Sequence, residues 1–309
     1  MKQFPILLKR EFWENRNTFI VLPRVTAGFM ILLMAGVYFA VDVVGIKAHI
    51  QIGGDEHSQE MVSDPAGVNE AFGFLFSRLA SLPSDVREHT VYQILHGLAG
   101  PLLAILWVVV VFYLIGSLYE DRKDRSILFW KSMPVSDTNT VLSKLVSGLI
   151  VVPVVYMVCV LCVQVVFLTI SSLAAFGQEA SIWEVLWEPA NLLSSWFTLI
   201  AHLLFQVIWS LPLYGWIILV SAWVGSVPLA WIIGGPVVFA VLERVISGDT
   251  RASEWFTDHI SPVAFAQKQE LQIADLLPML MSADTLAGLL VGSSFIAAAV
   301  WLRSRGDEI

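Results

Sequence analysis

The chain has 309 residues, 57% of them hydrophobic and 14% charged, with a mean hydropathy of +0.73 and a formal net charge of −8. A soluble domain of this length would carry roughly a quarter charged residues, whereas the apolar blocks here last the ~20 residues that a helix needs to cross a bilayer. A substantial soluble domain is excluded, and so is a membrane β-barrel, whose strands alternate in runs of about ten residues; stretches 102–118 and 145–170 do not alternate.

Residues 2–17 are too charged to cross a membrane. Phe4, Leu8 and Phe12 recur every four residues with Ile6 and Trp13 beside them, while Lys9, Arg10, Glu11 and Glu14 lie mostly on the other side. That pattern predicts an interfacial amphipathic helix in the headgroup layer. Span 1 follows at about 21–44, with Pro23 tolerated in its first turn. No small-residue cleavage pattern ends it, so it is expected to be retained. The acidic segment 45–95 carries Val68, Phe72, Phe76 and Leu79 on one helical face. Pro83 and Ser84 then restart a helix leading into span 2, at about 97–119.

A charged connector, 120–144, precedes span 3 at about 145–170. Cys159 and Cys162 lie within that span without a second pair or a nearby histidine, so they read as small apolar side chains. An acidic loop, 171–193, presents Trp183 and Trp187, which suit a membrane interface. Span 4 covers about 193–223 with a kink expected at Pro212. The turn Gly225-Ser226-Val227-Pro228 leads to span 5 at about 229–246. The apolar pieces 262–266 and 276–281 are too short to span and read as interfacial or re-entrant segments. Span 6, about 285–302, ends in Arg303 and Arg305. The expected fold is therefore all-α and polytopic, a single membrane domain with about six transmembrane helices.

Six spans put both termini on one side. That side carries Lys2, Lys9, Arg10, Arg16, Arg24, Arg122, Lys123, Arg125, Lys131, Lys144, Arg303 and Arg305, which are 12 of the 18 basic residues. By the positive-inside rule both termini and the 120–144 connector face the cytoplasm. The net negative charge then lies mostly outside.

No nucleotide-binding or hydrolytic motif is present: GxxxxGK[ST], HExxH and GxSxG are all missing. The chain is expected not to be an enzyme and to hold no cofactor or metal of its own. Deep in span 4, His202 and Gln206 share one helix face; hydrogen bonding between helices and contact with a substrate both fit them. Gly288 and Gly292 form a GxxxG that permits close helix packing in span 6.

The connector is the most informative segment. Alongside charges of both signs it holds Ile127-Leu128-Phe129-Trp130 and Met133-Pro134-Val135, apolar side chains that a merely solvated loop does not need. A short helix along the membrane, presenting apolar and charged residues to a soluble partner, accounts for both. Pro134 ends it, and Ser136 or Asp137 can cap the next helix.

An acidic–basic start, a short apolar helix, a Met-Pro-Val-Ser turn and a Lys before the next span together resemble the coupling region of ABC-2 type permeases. Ser126 and Ile127 stand where that family commonly has Gly-Thr, and Ser143-Lys144 stands in place of Gly-Lys. The amphipathic start, the six spans, the broken segment before the last span and the basic tail are arranged likewise. The resemblance implies a bacterial inner-membrane exporter of two permeases, identical or related, and two separate ATPase subunits that bind ATP and Mg²⁺. It implies ATPase contact at Arg122, Arg125, Ile127, Leu128, Phe129, Trp130 and Met133, with the lipid bilayer as the other partner and no nucleic acid. A non-transporting scaffold or a sensor whose outer 45–95 region binds a ligand is the alternative from another class.

The topology has a direct check. In a variant lacking Cys159 and Cys162, a cysteine introduced at Ser126 should react with an impermeant maleimide only after intact cells are permeabilised, whereas one at His57 should react before. Labelling at 126 from outside would invert the arrangement.

Overall fold

The computed structural model describes residues 3–44, 68–124, 135–260 and 273–305. Among them the chain is all-α, with no strand. Six helical stretches are long and apolar enough to cross a membrane: Asn17–Tyr38, Ser84–Lys123, Asp137–Ala174, Trp183–Trp209, Pro228–Ser247 and Ala283–Arg305. The protein is a multi-pass membrane protein.

The elements are α1 (Gln3–Glu14), α2 (Leu22–Val44), α3 (Val68–Ser81), α4 (Ser84–Lys123), α5 (Asp137–Val146), α6 (Val152–Ala174), α7 (Leu192–Trp209), α8 (Leu211–Trp223), α9 (Pro228–Ser247), α10 (Arg251–Ile260), α11 (Ile273–Leu280) and α12 (Ala283–Arg305). Three π-helical turns interrupt the α-geometry, at Asn17–Val21, Ser147–Val151 and Trp183–Trp187. The expected spans fall within these helices, and two boundaries are corrected. Trp183 and Trp187 belong to a helical turn leading into α7 rather than to a loop. Span 4 is two helices, not one: α7 stops at Trp209 and α8 starts at Leu211. Pro212 is the cause, because it has no N–H to offer the preceding turn and disfavours helical geometry just before itself. Ser210 takes the break, at φ −85° and ψ 13°.

The described residues form two compact units. One comprises Met1–Val21, Ala104–Met157 and Phe197–Ile309. In it, α8 and α12 touch backbone to backbone. A Cβ on Gly215 would lie 2.6 Å from the Gly292 carbonyl oxygen, and one on Gly292 would lie 2.7 Å from the Leu211 backbone. Helices approach this closely only where small residues face each other. Gly288, one turn earlier, leaves room for the Pro212 ring and the His259 imidazole. In α9, Pro236 cannot bond the Ile232 carbonyl, and the Trp216 indole N–H donates to that oxygen at 3.2 Å. Gly235 gives the indole space to arrive. A backbone group left open in hydrocarbon must find such a substitute.

The short amphipathic α10 is held at both ends. The Glu243 carboxylate accepts from the Ala252 and Ser253 N–H groups at 2.8 and 2.9 Å, capping its first turn. His259 is buried at the other end, stacked 4.2 Å from Trp209, while the Trp209 indole donates to the Asp258 carbonyl. Of the two short segments expected before the last span, 276–281 overlaps α11, and residues 262–266 lie outside the described set; α10 precedes both.

The second unit comprises Leu22–Leu103 and Val158–Trp196. Its core gathers Phe76, Val91, Leu95, Leu168, Ala175, Val185, Leu186 and Ala190. Phe76 comes from the face that spacing assigned to the helix at 68–81, and Ser84 restarts the chain as α4. Across this core Gln164, fully buried, donates to the Leu95 carbonyl at 2.9 Å and accepts from the Trp196 indole at 2.9 Å. Both ends of the amide are satisfied, so one polar side chain stitches α4, α6 and α7 in an apolar setting.

Replacing Gln164 by Leu strands the Trp196 N–H and should lower unfolding stability by roughly 1–2 kcal/mol, the scale of hydrogen bonds between membrane helices. SDS titration in bicelles measures it. The Gln164→Leu/Trp196→Phe pair should lose less than the sum of the singles; strict additivity would mean that the bond carries no coupling.

Candidate functional site

Charged side chains from four helices converge in the first unit. Glu11 comes from α1, Asp121 from the last turn of α4, Asp137 and Lys144 from α5, and Arg303 from the end of α12. Lys144 Nζ lies 3.1 Å from Glu11 Oε1 and 3.4 Å from Asp121 Oδ2. Arg303 reaches Asp137 Oδ1 through Nε at 3.1 Å and Asp121 Oδ2 through Nη1 at 3.5 Å. The second Glu11 oxygen accepts from the Tyr113 hydroxyl at 2.9 Å. Glu11, Lys144 and Arg303 are each at most 5% exposed.

Local sequence explains the placement. Ser136 caps α5, its hydroxyl accepting from the Asn139 N–H. From that start the spacing puts Thr140, Val141, Lys144 and Leu145 on one buried face. Lys144 is thus carried inward by its apolar neighbours, and it stays there because two carboxylates meet it. Taking an ion out of water costs several kcal/mol even after relaxation, so such groups persist only when paired.

Glu11 departs from the expected polarity of the N-terminal helix. Its spacing predicts a place mostly away from Phe4, Leu8 and Phe12, with the other charges; the structure turns it inward beside Leu7, and both are buried. The two stand four residues apart and so share one face. The apolar arc of α1 therefore ends in an acid, because Lys144 and Tyr113 supply what the acid needs.

Tyr113 is seated between two of the π-helical turns. Phe19, from the turn at 17–21, packs edge-on at 5.0 Å. Gly148, from the turn at 147–151, lies so close that an added Cβ would be 3.0 Å from the Tyr113 ring. Single π-turns inside helices cluster at functional positions, and these two flank the ion pairs.

The order along the chain places the cluster on both sides of the connector. Asp121 precedes the stretch 125–134 and Asp137 follows it, and Arg303 holds both. The two roots of the connector are fastened to the last helix, and through Lys144 and Glu11 to the first.

Of the residues singled out from sequence, Arg125, Ile127, Leu128, Phe129, Trp130 and Met133 lie outside the described residues. Arg122 is turned to the protein: its Nη2 donates to the Ser221 carbonyl at 2.6 Å and the Val224 carbonyl at 2.8 Å, closing the end of α8. Ser221 reciprocates, its hydroxyl accepting from the Leu118 and Tyr119 N–H groups and donating to the Ile115 carbonyl. Gln206 donates to the Ser210 hydroxyl within its own chain segment, at the break between α7 and α8, and His202 sits half-buried one turn earlier. Neither joins the ion cluster. Gly288 and Gly292 form the close contact with α8 and α10 described above.

Sequence reasoning missed Glu11, Asp121, Asp137, Lys144 and Arg303 as an organised set, and separately missed Gln164 in the second unit. The signals were a lysine and a glutamate on apolar helical arcs and one glutamine in a long apolar run. Among the described residues no group of three or more His, Cys, Asp or Glu is arranged to hold a metal; here the carboxylates face cations of the chain itself.

No family model, curated protein or solved structure matches the chain. Functional interpretation accordingly rests on its own residues.

Lys144→Met leaves Glu11 and Asp121 buried with a cation removed, and should destabilise the protein by about 3–5 kcal/mol. The Lys144→Met/Glu11→Gln pair should recover part of that loss. Thermal unfolding in detergent for the single and double variants decides the matter: losses that simply add would show that the two groups do not interact.

Proposed function

We propose that the chain is the membrane-spanning permease subunit of an ATP-driven exporter, working with a separate ATPase. The observation that carries this reading is the buried ion cluster at the roots of the 125–134 connector. A loop that only joined two spans would have no use for anchors of this kind, since burying several charges costs free energy that a short apolar turn would not. A loop that receives force needs fixed ends.

In this reading the apolar residues Ile127–Met133 and the neighbouring Arg125 seat in a groove of the ATPase, with Phe129 and Trp130 as the aromatic anchors typical of interface hot spots. ATP and Mg²⁺ are bound by that partner, which supplies the energy. Closure of an ATPase pair on ATP pushes the connector. The displacement passes through Asp121 and Asp137 to Arg303 and α12, and through Lys144 and Glu11 to α1. Arg122, committed to the end of α8, adds a third route, from α4 to the helix packed against Gly292. Residues near the cluster thus act as positioning groups that turn a push on a loop into movement of spans. Two permeases, identical or related, complete the exporter, with the connector and both termini on the cytoplasmic side of a bacterial inner membrane. Excess basic residues on that side, the missing nucleotide motif and the ABC-2-like connector support the same assignment.

The test is co-purification. Phe129→Asp or Trp130→Asp should abolish capture of an ATPase from the native membrane in mild detergent while leaving insertion and melting temperature unchanged. Wild-type recovery of the ATPase with either variant would end the coupling assignment, and failure of the unaltered chain to bring down any ATPase would end the exporter reading.

A further inference from the structure

The N-terminal helix has a second face, opposite the ion pairs. At about 100° per residue, Leu7 and Glu11 mark the arc of α1 that packs into the protein. Ile6, Lys9 and Trp13 fall on the opposite arc, which Arg16 extends just beyond the helix end. Ile6 is 66% and Trp13 55% exposed, and Lys9 and Arg16 are exposed beside them. Arg10, on the flank, is engaged by Glu14 at 2.8 Å; among the described residues no ion pair engages Lys9 or Arg16. No carboxylate shares their arc.

What covers this stripe follows from the chain itself. The first candidate span starts at Asn17, so the edge of the hydrocarbon lies next to Arg16, and Trp13, one turn back, falls in the headgroup layer. Tryptophan favours that layer because its ring is apolar and its N–H is not. Lysine and arginine at the same depth, all of one sign, complement phosphate groups and are drawn to anionic lipid. A soluble acidic partner would match the charges but would leave Ile6 and Trp13 half in water.

We infer that the Ile6–Lys9–Trp13–Arg16 stripe is a docking surface for anionic phospholipid headgroups. Lys9 and Arg16 bind the phosphates, while Ile6 and Trp13 set the depth of the helix. The same helix presents Glu11 to Lys144 on its other face, so lipid charge on one side and the ion cluster on the other act on one short rigid body. This surface does not depend on the transport reading.

The experiment uses the full chain in nanodiscs of phosphatidylcholine containing an equal mole fraction of either brominated phosphatidylglycerol or brominated phosphatidylcholine. Subtracting the emission of a Trp13→Phe variant isolates the Trp13 signal. Brominated phosphatidylglycerol should quench that signal more strongly. A basic residue near the surface is worth about fivefold in attraction to anionic lipid, so Lys9→Gln/Arg16→Gln should weaken the preference roughly 25-fold. Its melting temperature in neutral nanodiscs should stay at the wild-type value, because neither side chain touches the ion pairs. Equal quenching by the two lipids, a preference that survives in the double variant, or shielding of Trp13 from both lipids by a protein partner would each overturn the inference.

Discussion

A charge withdrawn from water has to meet its opposite, and the arrangement of Lys144 between Glu11 and Asp121 is where this protein obeys that constraint most visibly. The lysine belongs to a helix whose buried face otherwise carries no charge, and its two acids come from two other helices, α1 and α4. Arg303 repeats the pattern between Asp121 and Asp137. Because Asp121 serves both cations, the five groups form one connected system, and moving any member changes the surroundings of the others. Such systems are less a source of net stability than a way of demanding one geometry. The geometry demanded here joins the first helix, the last helix and both roots of the connector.

The backbone obeys a parallel constraint. A peptide carbonyl left open by proline inside a membrane has no water to turn to. Ile232 receives the Trp216 indole in place of the N–H that Pro236 lacks. At the ends of helices the same role falls to Arg122 on the α8 carbonyls and to Glu243 on the first N–H groups of α10. Each solution uses a side chain whose type would look out of place in an apolar run. Gln164 is the clearest case, with amide oxygen and nitrogen both occupied across three helices.

These facts explain what could be read in advance. Span number and approximate limits come from apolar runs, a property of composition over some twenty residues, and they were legible. So was local punctuation: Ser136 as a cap, Pro83-Ser84 as a restart, Pro212 as a disturbance. That the helix stops at Ser210 rather than bending through it was not, because a proline in an apolar run is compatible with either outcome. The ion cluster was least legible. Lys144 read as one of many basic residues on one side, and Glu11 as part of a polar face, because neither residue carries a mark of its distant partner. Helical phase gave a faint hint, since Glu11 follows Leu7 by four residues and Lys144 follows Thr140 by four. Turning that hint into contact requires knowing that α1 and α5 meet.

Arg303 stands 182 residues after Asp121 and 166 after Asp137 in the chain. During synthesis both aspartates are therefore in place long before their shared cation leaves the ribosome. Until α12 is made, Asp137 lacks its cation and Asp121 has Lys144 alone, so a product truncated before residue 303 keeps every earlier span yet lacks the Arg303 clasp.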